Sequence, residues 1–331
     1  MYAYIISNII YLLNNNVLIN RNEVLNLNKL LTELIEKNKV YGNKGKLASY
    51  IPALLKANKE DLGIVIVDLN GEEFSAGKSD KVFTIQSISK VISLMLAIKD
   101  NGYQKVLEKV NVEPTGEGFN SIVNLETKDT KRPYNPMINA GAIVTTSLIK
   151  GKTEEEKLKK LIDFMKKATN NENIGINEEV YVSEKLTGDR NRALAYYMKS
   201  NGILEGNIEE ILDLYFRQCS IEGSARDLAR LGAVLANDGV IPWSGEILIE
   251  KEICRIAKTI MVTCGMYDAS GEFAVKIGIP AKSGVGGGIL GAVPKRMGIG
   301  VYGPALDEKG NSIAGIELLK DLSNELDLSI F

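Results

Sequence analysis

The sequence predicts an α+β fold in which an antiparallel sheet, drawn from both ends of the chain and flanked by helices, carries a mostly helical insertion. Three observations lead there. An early strand pair is joined by Asn70-Gly71, a long central stretch has helical character, and glycine-punctuated strand-like segments return near the C-terminus.

Leu62 to Asp68, LGIVIVD, is rich in β-branched residues, and Asn70-Gly71 is a strong short hairpin signal, so Glu73 to Ala76 is expected to pair back onto it. After Ser87 comes VISLMLAI, apolar on nearly every side and stopped at Asn101-Gly102, which describes a helix buried in the interior. From about Leu107 to Cys254 amphipathic segments such as EEEKLKKLIDFMKKA from Glu154 alternate with polar loops. Glu272 to Ile279, Gly288 to Val293 and Met297 to Tyr302 read as strands, and Ile313 to Leu326 has helical spacing. The implied division is an N-terminal helical extension over 1–40, an α/β lobe from 41–106 with 255–331, and a helical lobe over 107–254. The active site is expected between the lobes.

A chain of 331 residues, 45% hydrophobic and 25% charged, can bury a sizeable core. Its net charge of −2 and the lack of basic clusters interleaved with aromatics give no nucleic-acid footprint. Three cysteines without Cys-x-x-Cys spacing fit neither a disulfide framework nor a thiolate zinc site, so a reducing compartment, the cytoplasm, is expected. The first nineteen residues are apolar, but they lack a basic start and a small-residue cleavage site, and nothing later reads as a membrane span. Histidine is absent altogether, which excludes His-dependent triads, His-ligated zinc and imidazole acid/base chemistry. A nucleophile in this chain must be activated by Lys, Tyr, Glu or Asp.

Ser-x-x-Lys is the obvious pattern, but it occurs at Ser75/Lys78, Ser87/Lys90 and Ser147/Lys150. Ser75 falls in a strand, where residues three apart face opposite sides. Ser87 and Lys90 open the buried helix, where i and i+3 share a face and free N–H groups suit an oxyanion. A lysine desolvated there loses pKa and can accept a proton. A lone Ser-x-x-Lys is more commonly a helix cap beside a solvated lysine. The late Lys282-Ser283-Gly284 tips the balance, because a Lys-(Ser/Thr)-Gly edge strand faces the nucleophile in Ser/Lys acyl-transfer enzymes. Gly286 to Gly291 also fits G-x-G-x-x-G, yet Pro294 and the lack of a following helix remove the dinucleotide-loop context.

ASYIPALLK at Ala48, FTIQSISK at Phe83, NPMINAGAIVTTSLIK at Asn135, SEKLTGDRN at Ser183, CGMYDASGEFA at Cys264 and PAKSGVGGGI at Pro280 together carry a closer likeness. Over roughly Asn43 to Leu319 the chain resembles the serine-dependent glutaminases, whose fold is β-lactamase/transpeptidase-like. The resemblance implies hydrolysis of the side-chain amide of L-glutamine through a glutamyl-serine intermediate. It implies Ser87 as nucleophile, Lys90 as its base, Tyr267 as a proton-sharing phenol, and the N–H groups of Ser87 and Val285 as oxyanion hole. It also implies a substrate pocket of Tyr50, Gln86, Asn139, Glu184, Asn191 and Tyr215, with Glu184 facing the substrate ammonium. No metal or organic cofactor is implied, self-association as a homodimer or homotetramer is, and a mobile segment is expected around Glu113 to Asn120. The ankyrin-type extension of some family members is not expected here, and the first forty residues have no firm counterpart. A β-lactamase-like acyl hydrolase and a catalytically silent amino-acid sensor are the alternatives. A visible export signal and a plain Ser-Asp-Asn would favour the first, and loss of the Ser87, Lys90 and Tyr267 set the second.

Overall fold

The computed structural model describes residues 21–116, 118–123, 125 and 132–331. The expected N-terminal extension therefore lies partly outside the described residues; its described part is helix α1 (Arg21–Asn38). Next come β1 (Gly63–Asp68), β2 (Glu73–Gly77), the short β3 (Phe83–Thr84), α2 (Ser89–Asn101) and α3 (Tyr103–Leu107). The central helices are α4 (Asn139–Ser147), α5 (Glu154–Thr169), α6 (Glu178–Thr187), α7 (Asp189–Ser200) and α8 (Ile208–Cys219). After β4 (Glu222–Gly223) follow α9 (Ala225–Ala236), α10 (Lys251–Cys264), α11 (Ser270–Lys276), β5 (Ala281–Ser283), β6 (Gly288–Val293), β7 (Met297–Tyr302) and α12 (Ile313–Leu326).

The main sheet has the order β2-β1-β7-β6-β5 with every neighbouring pair antiparallel. Its hairpin forms as the Asn-Gly signal requires. Gly71 takes φ +86°, and the Asp68 carboxylate accepts the N–H groups of Asn70 at 2.9 Å and Glu72 at 2.8 Å. Strand β1 is buried along its whole length because helices cover both faces. Val65 and Val67 join the cluster of α2, α9 and α10, while Ile64 and Ile66 join that of α1 and α12. A third cluster, with Ile143, Leu194, Leu212 and Tyr215, holds α4, α7 and α8 together.

One finding differs from the sequence expectation. Glu272 to Ile279 was expected as a strand, but Ser270–Lys276 is helical. A strand would point Phe273, Val275 and Ile277 the same way, whereas Phe273 and Ile277 are buried and Val275 is 89% exposed, as helical spacing demands. Ser270 Oγ fixes the turn by donating to Tyr267 O at 2.8 Å and accepting Met266 N–H at 3.0 Å. Helix α9 lies flat on the sheet. Glycines make this possible: a Cβ at Gly298 or Gly300 would overlap backbone atoms of α9, and one at Gly232 would overlap the carbonyl of Gly291. Among the described residues no helix is long and apolar enough to cross a membrane.

Candidate active site

The sequence places Ser87 where a tight 3-10 turn, Gln86–Ile88, runs into α2. Gln86 is held at φ +49°, an uncommon conformation for a residue with a side chain, and Ile85 N–H is anchored to Ile221 O at 2.8 Å. The first N–H groups of such a turn have no carbonyl partner within the helix itself. The loop after β5 is pressed against this turn. A Cβ at Gly284 would sit 2.5 Å from Ile85 O, and one at Gly286 would overlap Thr84 O. Glycine at both positions is what lets Val285 reach the cavity that Ser87 lines.

Lys90 is fully buried one turn along α2 and donates to Asn139 Oδ1 at 2.6 Å and Met137 O at 3.2 Å. Burial lowers its pKa from 10.5 to about 8, against the opposing pull of Cys219 and Glu184. The Tyr267 hydroxyl is hydrogen-bonded with the Ser87 side chain and donates to Ser283 O at 3.2 Å. Burial holds this phenol above its ordinary range while the Ser87 bond works the other way. Tyr267 itself sits at φ +56°, so both residues that frame the serine, Gln86 and Tyr267, adopt left-handed backbone.

The other Ser-x-x-Lys pairs are not built this way. Ser75 is in β2 with Lys78 exposed, and Ser147 Oγ donates to Val144 O at 2.7 Å with Lys150 exposed.

A small cavity of about 80 Å³ lies over Ser87 and is lined by Tyr50, Gln86, Asn139, Glu184, Asn191, Tyr215 and Val285. The residues expected at the amino-acid end therefore meet in one place, while Tyr267, also expected to meet the substrate, lines an adjoining hollow with Phe119. Glu184, from α6, is buried, and its carboxyl is pushed up to about 7 by that burial, with a Gln86 hydrogen bond and the Lys90 charge opposing. Tyr215, from α8, is raised well above the usual phenol range by burial. Asn139 Nδ2 donates to Asn191 Oδ1 at 2.9 Å. Tyr50 is 52% exposed and stands between this cavity and an outer hollow of about 530 Å³. Another groove, of about 420 Å³, runs between α11 and α12 beside Phe273 and Ile316, away from the serine–lysine pair.

The structure adds Cys219, Phe119 and Arg190, which sequence reasoning did not place at the site, and shows the partners of Lys282 from the expected Lys-Ser-Gly strand. Cys219 lines the cavity one helical turn after Tyr215, a spacing that could have found it. Phe119 packs its ring 4.9 Å from that of Tyr267 and accepts Asn139 N–H on its carbonyl at 2.9 Å, and Arg190 Nε donates to Asn120 O at 2.9 Å. The segment before Asn120 is thus tied to the site at its end. Lys282, fully buried, stands 4.2 Å over the Tyr267 ring and donates to Gly265 O at 2.9 Å and Ser283 O at 2.6 Å. Burial, with the Lys90 charge, pushes its pKa well below the usual lysine value. No group of three His, Cys, Asp or Glu among the described residues could hold a metal ion.

A family model described as Glutaminase matches residues 45–331. "Glutaminase 2" of Clostridium perfringens is 69% identical over 301 residues, which is 91% of this chain and 99% of that protein. The glutaminase of Clostridium tetani is 60% identical over 301 residues, 91% of this chain and 98% of its own. Among solved structures, Bacillus subtilis glutaminase in covalent complex with 5-oxo-L-norleucine, formed by reaction with 6-diazo-5-oxo-L-norleucine, aligns with TM-score 0.83 at 43% identity. That alignment covers 91% of this chain and 99% of the other.

Proposed function

The chain belongs to the glutaminase family, with its β-lactamase-like fold, and from that premise we propose that Ser87 and Lys90 carry out the hydrolysis of L-glutamine to L-glutamate and ammonia. The observation that carries the residue assignment is the serine itself. It is buried at a helix start, hydrogen-bonded to a phenol, one turn from a fully buried lysine whose pKa has fallen to about 8.

In this reading the amino-acid end of glutamine enters the small cavity, where Glu184 meets the ammonium and amide and phenol groups meet the carboxylate. Ser87 Oγ attacks the side-chain carbonyl while its proton passes to Lys90 with help from Tyr267. The oxyanion is received by the N–H groups of Ser87 and Val285. The proton goes to the leaving nitrogen, ammonia departs, and water hydrolyses the glutamyl-serine ester with the same groups. Tyr50, at the boundary with the outer hollow, covers the bound substrate.

The covalent complex of the B. subtilis relative supports a nucleophile in the equivalent cavity. Three buried, unpaired cysteines support a reducing, cytoplasmic setting, and self-association as a dimer or tetramer rests on the family resemblance. The site is read as lying between an α/β lobe and a helical lobe.

The test is ammonia release from L-glutamine, with L-asparagine and a chromogenic cephalosporin in parallel, by wild type and Ser87→Ala. Ser87→Ala is expected to lose turnover while still binding glutamine. Turnover within tenfold of wild type would remove Ser87 from its role, and cephalosporin cleavage would move the chain to β-lactam chemistry.

A further inference from the structure

We propose that Asn191 acts on the Ser87–Lys90 pair as a positioning residue, through the Asn139 amide that joins Lys90 to the amino-acid end of the cavity. The inference rests on the Ser/Lys reading above and extends it to a group that does not touch the reacting atoms.

A primary amide has one acceptor end and one donor end, and a lysine ammonium can only donate. The 2.6 Å bond from Lys90 Nζ therefore fixes Asn139 Oδ1 toward the lysine and turns Nδ2 toward Asn191, whose Oδ1 receives it at 2.9 Å. With its oxygen so committed, Asn191 is left with its Nδ2 donor for the cavity it lines, and a donor is what a substrate carboxylate requires. Donor–acceptor polarity thus runs unbroken from the lysine on α2, through α4, to α7.

The frame holding these amides is stiff. Asn139 N–H is bonded to Phe119 O at 2.9 Å, and the preceding turn is held by Asn135 Oδ1, which accepts Met137 N–H at 3.0 Å and Ile138 N–H at 3.2 Å. Rotation of the side-chain amide is the freedom left to Asn139. Were Asn191 to lose its oxygen, Asn139 could turn its NH2 toward Lys90, where it would repel an ammonium. With Asn191 in place, Oδ1 stays directed at Nζ and stabilises the ammonium that forms as Lys90 takes the Ser87 proton. Substrate carboxylate on Asn191 reinforces the same polarity, so binding at the remote end favours proton transfer at the reacting end.

The other titratable groups around Lys90 are Glu184 from α6, Cys219 from α8, Lys282 from β5, and Tyr267 through its bond to Ser87. Substitution at Asn191 leaves each of them in place.

The experiment uses p-nitrophenyl acetate, an acylating reagent without an amino-acid end, over pH 6–10, with mass spectrometry locating the acetyl group. In Asn191→Ala the acetylation rate of Ser87 at neutral pH is expected to fall at least threefold and the ascending limb of its pH profile to move. Asn191→Asp still accepts from Asn139 and is expected to return the rate to within twofold of wild type, while its KM for glutamine rises because a second carboxylate now faces the substrate's own. Asn191→Leu, of similar size, serves in place of alanine should that variant fold poorly. An acetylation profile identical to wild type in the alanine or leucine variant, with only KM for glutamine raised, would make Asn191 a substrate ligand alone and overturn the proposal. Acetylation of wild type at a residue other than Ser87 would instead overturn the underlying Ser/Lys reading.

Discussion

The buried position of Lys90 makes a quantitative claim about pH. At its ordinary value of 10.5 a lysine is neutral in only about 0.03% of molecules at pH 7; at about 8 the neutral fraction is roughly 9%, a gain of about 300-fold in competent base. That corresponds to about 3 kcal/mol of preference for the neutral amine, supplied by burial. Glu184 titrates nearby, at about 7, and in the proposed role must be ionised to hold an ammonium. Both requirements are met by raising the pH. In free enzyme, kcat/KM for glutamine should therefore climb between about pH 6 and 8.5, with a slope above one below about pH 7.5 because two protons are lost, levelling above about 8 until glutamine sheds its own ammonium proton. Replacing Glu184 by Gln should remove the lower of the two ionisations and leave a single limb near 8. Replacing Lys90 by Met or Arg should lower kcat at least 1,000-fold, since neither side chain offers a titrating base in this range. Circular dichroism and a melting curve would establish that each variant is folded. A wild-type limb near 10, or a Lys90→Met enzyme within tenfold of wild type, would refute the reasoning.

Other substitutions test separate parts of the site. Glu184→Gln removes the buried carboxyl proposed to face the substrate ammonium and should raise KM about 10- to 150-fold with a smaller change in kcat, read from initial rates of ammonia release. Tyr267→Phe removes the hydroxyl bonded to Ser87 and should lower kcat about 100-fold or more with KM nearly unchanged; unchanged kcat would exclude the phenol from proton transfer. Gly284→Ala forces a Cβ to 2.5 Å from Ile85 O and should disrupt the approach of Val285 to Ser87, lowering kcat more than it lowers the melting temperature. Gly300→Ala, where a Cβ overlaps the backbone of α9, should cost about 1–3 kcal/mol of stability or more by denaturant titration, whatever its effect on activity.

Much of this protein is local in its sequence. The Asn-Gly hairpin, the apolar run after Ser87 and the strand segments Gly288–Val293 and Met297–Tyr302 are each decided by neighbours within a dozen residues, and these elements stand where expected. Of the Ser-x-x-Lys patterns, Ser75/Lys78 could be set aside by element, because spacing in a strand and in a helix sets different directions for the side chain, whereas Ser147/Lys150 was separated only by its place in the structure. The resemblance then supplied pocket residues that no spacing reveals, since Tyr50, Asn139, Glu184, Asn191 and Tyr215 lie on separate elements and gain meaning from converging. Only the tertiary structure decided the rest. Ser270–Lys276 is a helix because the sheet's faces have room for Phe273 and Ile277 while Val275 meets solvent, and burial of that kind depends on distant partners. Lys90 holds its proton less tightly, and Glu184 more tightly, through the water that surrounding helices remove. The amide chain from Lys90 to Asn191 exists because α2, α4 and α7 meet at one point. Sequence determines which groups are available; desolvation and donor–acceptor direction are properties of the assembled fold.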